Sequence, residues 1–495
     1  MILHDNLLCN DLLTKPQPEI GTILVTGATG YVGGRLVPEL LARGYKVRVM
    51  ARVDSKECEE RWPEADIVVA DALNPVQLIH ALEGVSVAYY LIHSLLLGTK
   101  NFELADERAA INFRLAAEQN QLRRVIYLGA LGDELITLSP HLKTRNLVAK
   151  ELQKGTYKTT ILRAAIIIGS GSASYEILKH VVIKSPVFLI PFWAKTKCQP
   201  ISMRSLVNIL VGVLEKKEAS GKTYDIGGSE ILTYENMLKS FSSVINKKRF
   251  FINTSFSNIK IFSYIASLLT PVPAAIIKSL LESCHNEVVC HNNEILSLSL
   301  HQPISFNEAI NRALTTEESD SVYTRWSDEY PRAHELSLKL DELVKSPRYI
   351  SSYSIVSEKD NKSLFKSICK IGGKEGWFHA NWMWRLRGFL DRLLLGVGSS
   401  RGRRSKKNLR VNDVVDFWRV EDIIKHKRLL LRAEMKLPGK AWLEFKIENN
   451  HSGNILSVCA YYEPNGLPGK LYWYNFLPFH HIIFTNLIKQ IDKRS

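Results

Sequence analysis

Residues 23–51 constrain the chain more than any other stretch. A short apolar run, 23–26, passes into the turn Gly27-Ala28-Thr29-Gly30-Tyr31-Val32-Gly33; residues 35–43 have helical periodicity and stop at Gly44, which suits a left-handed cap. Residues 46–51 then alternate basic and apolar side chains. Strand, glycine turn, helix and strand form a βαβ unit, and such units build parallel sheets covered by helices on both faces. Short apolar runs at 67–70, 85–92 and 124–128, separated by helix-like segments, continue the pattern, and 159–168 and 222–226 extend it. The reading is a doubly wound α/β domain over residues 21–315, with the helix- and proline-rich stretch 170–314 as a substrate-side cap.

The 495 residues allow more than one core. After a polar helical linker, 316–348, the pattern changes. Residues 349–356 and 364–371 alternate, 381–395 is an amphipathic helix, and 414–420, 428–436, 441–447 and 455–462 are strands with turns such as Pro438-Gly439 and Asn465-Gly466. A final helix, 473–491, has Pro478 near its start. This predicts an α+β domain over 349–495 in which a sheet grips the terminal helix.

Hydrophobic residues at 45% and charged residues at 23% exclude general disorder. Seven scattered cysteines without a CxxC pair exclude a disulfide scaffold and fit a reducing, cytoplasmic setting. Residues 1–20 lack a basic segment leading into an apolar run, so they are expected to be a loose tail and not a secretory signal. Sixty-five Lys and Arg against fifty Asp and Glu give +15. The densest run, Arg401, Arg403, Arg404, Lys406, Lys407 and Arg410, has no nucleic-acid motif around it and is expected to be a solvated basic loop. No nucleic-acid partner is expected. Pro271 and Pro273 break the apolar stretch 261–281 into two short amphipathic helices, which argues against a spanning helix and leaves peripheral membrane contact open.

Glycines between a strand and a helix let the backbone approach a pyrophosphate, and the N–H groups at the helix start bind it. Gly27, Ala28, Thr29, Gly30, Tyr31, Val32 and Gly33 are therefore candidate dinucleotide contacts. The second strand ends in Arg52, which suits the 2′-phosphate of NADP(H); Asp54, two residues on, keeps NAD(H) open. The histidines at 379, 480 and 481 and the pairs Cys284-His285 and Cys290-His291 lack the spacing of a metal site, so no metal is expected.

With TGATGYVG, the strand ending in Arg52, Val69-Ala70-Asp71-Ala72 and Leu162-Arg163-Ala164-Ala165-Ile166, residues 21–314 resemble the atypical short-chain dehydrogenase/reductases, in their NmrA-like and complex-I-accessory-subunit-like branches. The resemblance implies a Rossmann fold with Asp71 and Ala72 near the adenine. It also implies that Leu91, Ile92 and His93 line the cofactor, that Gly129, Ala164 and Ala165 contact it, and that residues 270–273 belong to the cap. Active members of that superfamily use a serine after the fifth strand and a Tyr-x-x-x-Lys pair. Here Gly129 and Ala130 follow that strand, and His141 and Arg145 stand at the spacing of the pair. A spacing of four keeps both on one helix face. A histidine near pKa 6.5 exchanges a proton without help, and Arg145 would hold the nicotinamide ribose.

Residues 371–377, 381–392, 416–420 and 437–445 form an aromatic and charged series. It resembles a domain-of-unknown-function family placed in the START-like, polyketide-cyclase-like helix-grip superfamily, whose members enclose apolar ligands. The expected function is an NAD(P)H-binding oxidoreductase acting on a hydrophobic carbonyl or quinone-like molecule. The alternative is a non-catalytic dinucleotide-binding redox sensor or assembly module.

Overall fold

The computed structural model describes residues 7–495 except 53–54, 94–101, 133–136, 299, 301, 320–321, 329–339, 341–345, 374, 399–400, 402, 406–407 and 451–452. Two compact units make up the chain: Met1–Leu269 with Ala274–Tyr330, and Thr270–Pro273 with Pro331–Ser495.

In the first unit, β1 (Thr22–Val25), β2 (Val47–Ala51), β3 (Asp66–Val69), β4 (Val85–Tyr90), β5 (Arg124–Ala130), β6 (Lys158–Ala164) and β7 (Thr223–Ile226) form one sheet in the order β7-β6-β5-β4-β1-β2-β3. Every pairing is parallel. Alternate residues of β1 feed opposite layers: Ile23 and Val25 pack with Leu36 and Leu206 in one core, while Leu24 packs with Phe113 and Tyr127 in the other. That two-sided burial is why these strands are apolar almost throughout. The order reverses beside β1, which has β2 on one side and β4 on the other, so a crevice opens past the carboxyl ends of those strands.

The expected strand 159–168 is two elements. β6 ends at Ala164, and Ile167–Ile168 pairs in parallel with Ile201–Ser202 in a separate two-stranded sheet. The stretch 261–281 holds two helices, Ile259–Leu269 and Ala274–Ser283, as the prolines predict. Among the described residues no helix is long and apolar enough to cross a membrane.

The expectation of a loose tail does not hold for residues 8–17. The Leu8 and Cys9 N–H groups donate to the Glu39 carboxylate at 2.6 and 3.1 Å, the Thr14 hydroxyl donates to Glu215, and Cys9 and Leu12 enter the core. Residues 322–328, expected in the linker, also belong to the first unit: the Thr324 hydroxyl donates to the Tyr31 carbonyl at 2.9 Å, and the Trp326 N–H donates to Gly171 at 2.8 Å. The polar helix expected around 332–345 lies almost wholly outside the described residues.

The second unit is built on a six-stranded antiparallel sheet. Its strands are β8 (Tyr349–Ser357), β9 (Val414–Val415), β10 (Trp418–Ile424), β11 (Arg428–Ala433), β12 (Gly439–Asn450) and β13 (Gly453–Pro464), in the order β8-β13-β12-β11-β10-β9. The terminal helix, Gly466–Lys493, lies on β8 and β13 through Trp473, whose ring stacks on Tyr349 and Tyr462 at 5.4 and 5.7 Å. Pro478 sits inside this helix and not near its start. Residues 364–371, expected as a strand, fall mostly in the helix Asn361–Ile368, whose N-cap Asp360 accepts from the Ser363 N–H. The described members of the basic run turn inward and are not a solvated loop. Arg401 donates to Glu434 at 2.5 Å, Arg403 to the Ile371 and Cys369 carbonyls at 2.7 and 2.6 Å, and Arg404 to Asp413 at 2.8 Å. Lys406 and Lys407 lie outside the described residues.

Candidate functional site

The crevice beside β1 opens into a cavity of about 620 Å³ within the first unit, a size that suits a small-molecule site. One end is made by the glycine turn. Gly27 has φ +63°, and a Cβ there would lie 2.6 Å from the Leu91 carbonyl oxygen, so only glycine lets the turn pack against the end of β4. A Cβ on Gly33 would meet the Gly27 carbonyl at 2.4 Å, which holds the helix Gly33–Ala42 close to the turn. That helix has no side-chain cap and no carboxylate in its first turn. Its backbone N–H groups and positive dipole end therefore suit a phosphate, and the residues present fit a dinucleotide.

The structure gathers twelve expected site residues on the cavity wall: Gly27, Gly30, Tyr31, Val32 and Gly33 from the turn, Leu91 and His93 after β4, Gly129 from β5, His141 and Arg145, and Ala164 and Ala165 after β6. Six others lie off it. Ala28 is in the core, Thr29 is buried, and Ile92 packs beneath the sheet. Arg52 is exposed at the end of β2, Asp71 accepts from the Leu73 N–H at 2.9 Å, and the Ala72 carbonyl accepts from Asn112 at 3.1 Å. Asp54 lies outside the described residues.

The helix Pro140–Gln153 carries His141 in its first turn and Arg145 one turn later. Ser139 caps it by accepting from the Leu142 N–H, Pro140 opens it, and Asn286 accepts from the Ser139 N–H at 3.0 Å. The Tyr127 hydroxyl donates to the Arg145 carbonyl at 3.1 Å and ties the helix to β5. The His93 and His141 rings lie 5.0 Å apart, and His93 Nδ1 is 3.5 Å from the Asp106 carboxylate.

Burial pushes the His93 pKa down to about 4, and the Arg145 charge adds to the effect. Burial also holds His141 well below the ordinary histidine value, reinforced by His93 and Arg145. Both rings are neutral at neutral pH, which corrects the expectation of a His141 titrating near 6.5. A neutral imidazole donates one hydrogen bond and accepts one. Beside the cationic Arg145, it polarises a carbonyl placed against it without first losing a proton.

Past this pair the wall is mainly apolar, with a few hydroxyls such as those of Ser185 and Tyr234. Ile177 and Val181, Phe262 and Ala266, and Ile276 and Leu280 are pairs four residues apart that line the chamber from three helices. Sequence reasoning did not single them out; the signal was this i, i+4 repeat of apolar residues on short helices that also carry polar faces. Asp106 was missed too, since its nearness to His93 depends on the fold. Among the described residues no group of His, Cys, Asp and Glu could hold a metal ion.

Comparison with known proteins agrees with this geometry. Residues 27–180 match a family model described as NAD(P)H-binding, and residues 343–487 match one described as a protein of unknown function (DUF2867). Divinyl chlorophyllide a 8-vinyl-reductase of Zea mays is 26% identical over 222 residues, covering 42% of this chain and 55% of that protein. Subunit 9 of the NADH dehydrogenase [ubiquinone] 1 alpha subcomplex of Arabidopsis thaliana is 25% identical over 233 residues, covering 45% and 58%. The chain thus spans little more than half the length of these two curated relatives. Triphenylmethane reductase of Citrobacter sp. superposes with a TM-score of 0.50 at 18% identity, covering 59% of this chain and 99% of that one, a likeness of fold. The first unit carries a Rossmann-like NAD(P)H-binding domain, and its cofactor class is the nicotinamide dinucleotides.

Proposed function

We propose that the protein is an NADP(H)-dependent reductase of a hydrophobic carbonyl or quinone-like molecule. In this reading an atypical short-chain dehydrogenase/reductase domain precedes a START-like helix-grip domain. The observation that carries it is continuity: a single cavity runs from the glycine turn past His141 and Arg145 into an apolar chamber. Bound NADPH supplies a hydride. The glycine turn holds the pyrophosphate and exposed Arg52 pairs with the 2′-phosphate. His141 donates its ring N–H to the substrate oxygen, Arg145 stabilises the negative charge that grows there, and the chamber excludes bulk water from the reacting face. Solvent supplies the proton that completes the reduction. In the second unit, the packing of the terminal helix on β8 and β13 supports a helix-grip domain, and an apolar ligand there follows from the resemblance to that superfamily.

A second reading is a dinucleotide-binding module without turnover. It is favoured by Gly129 and Ala130, which line the cavity where a serine hydroxyl would otherwise stand. Oxidation of NADPH by the purified full chain, followed at 340 nm over a panel of quinones and apolar carbonyls, separates the two. Turnover that His141→Phe cuts about 10²- to 10³-fold supports the reductase. Tight NADPH binding with no oxidation across the panel supports the module.

A further inference from the structure

The parallel two-stranded sheet formed by Val187–Ile190 and Phe250–Asn253 breaks the usual rule of a half-buried sheet. Its register pairs Val187 with Phe250 and Leu189 with Ile252. The intervening Phe188 and Phe251 turn inward and stack at 5.2 Å. A solvated outer face would carry polar residues at the alternate positions. Here all four outward side chains are apolar and exposed, Phe250 to 68%.

Phe192, Phe256, Ile261 and Ile265 are exposed on the segments that follow these strands. The cavity reaches this surface, because Val187, Leu189 and Ile265 line it and are exposed as well.

Charge on the same segments has one sign. Residues 177–214 and 236–269 contain no Asp or Glu. Lys195, Lys247, Lys248 and Lys260 are exposed, three or fewer residues from Phe192, Phe250 or Ile261. The nearby carboxylate of Glu235 is neutralised by Lys239, whose ammonium lies 5.5 Å over the Phe251 ring. An apolar patch on segments that carry lysines and no carboxylate of their own complements an anionic bilayer surface: the apolar side chains enter the headgroup and acyl boundary while the ammonium groups stay among the phosphates. A protein partner would require an acidic, apolar counterpart for which nothing here speaks.

We propose that this face docks on an anionic phospholipid membrane and sets the cavity mouth against the acyl region. Docking stands on the surface alone. A second step, that the chamber takes its substrate from the bilayer, rests on the reductase reading above.

The test is co-sedimentation of the nucleotide-free full chain with vesicles of phosphatidylcholine alone or with one-third phosphatidylglycerol. Binding to the anionic vesicles, weakened by salt, is expected. Lys247→Ala/Lys248→Ala should weaken it about 30-fold, the equivalent of about 1 kcal/mol per lysine, and Phe250→Asp/Ile252→Asp should abolish it. Circular dichroism and NADPH titration of each variant report folding, since none of these residues lines the cavity. Trp382→Ala/Leu386→Ala, on an exposed apolar helix face of the second unit, should leave binding unchanged. Absent or equal binding to both vesicles overturns the proposal, as does loss confined to the Trp382/Leu386 variant. Quinone dissolved in anionic vesicles tests the second step. If vesicles bind but no member of the quinone and carbonyl panel is reduced in vesicles or in detergent, the reductase reading fails and docking stands; if the chain ignores vesicles yet reduces a panel member in detergent, docking fails and the reductase reading stands.

Discussion

Acidification should destabilise the first unit in a window set by the two histidines of the cavity. A base whose folded pKa is depressed leaves the unfolded chain binding more protons, so its contribution is fully present above about pH 6.5 and is lost as pH falls toward the folded value. His93, held at about 4, therefore lowers stability by about 2 kcal/mol between pH 8 and pH 5. His141, depressed by the same burial, adds in the same direction. Carboxylates near their ordinary values contribute little above pH 5, but burial raises Asp416 in the second unit to about 6, inside the window. His480, in the second unit, is also held at about 4 by burial, so the comparison has to be between parent and variant. Urea unfolding of the nucleotide-free full chain at pH 8, 6.5, 5.5 and 5 should show a slope that His93→Gln/His141→Gln flattens by at least the 2 kcal/mol share of His93. An unchanged slope in the double variant, or a labelled His93 that titrates near 6.5, would refute the reasoning from burial.

Three further outcomes are expected. NADPH should bind more tightly than NADH by about tenfold or more through a charge-assisted contact to Arg52; Arg52→Ala should close the gap in fluorescence titrations, and equal affinities in the parent would remove its basis. His141→Phe should cut turnover about 10²- to 10³-fold, the usual loss for one transition-state donor, with NADPH affinity nearly unchanged; because the ring stays neutral, the rate of the parent should show no break near pH 6.5. In the second unit, Arg419 and Arg401 both donate to buried Glu434 at 2.5 Å. Glu434→Gln should cost about 3 to 5 kcal/mol by leaving buried guanidinium charge uncompensated, and a melting temperature within a degree of the parent would count against it.

What the sequence reveals and conceals follows the distance over which each feature is decided. The glycine turn, β1, β2 and the two helices flanking Pro271 and Pro273 are set by residues within a turn or two, and they stand where periodicity puts them. The helix Asn361–Ile368 reads as a strand because its apolar residues 364, 365 and 368 resemble an interrupted alternation, although Asp360 offers an N-cap signal. The basic run reads as solvated for another reason: the partners of Arg401 and Arg403, Glu434 and the Ile371 and Cys369 carbonyls, stand some thirty residues away. The spacing of His141 and Arg145 is legible, whereas the depressed pKa values come from His93, 48 positions earlier, and from burial that only the assembled cavity supplies.

The amino-terminal segment has a consequence for how the chain reaches its native state during synthesis. Leu8, Cys9 and Glu39 are made close together, yet the Glu215 that anchors Thr14 and the Asn208 that donates to the Leu8 carbonyl are made about 200 residues later. Contacts that span so much chain form late. Residues 8–14 are therefore among the last of this unit to lock, and until they do the Glu39 carboxylate lacks the two backbone donors that meet it in the finished fold.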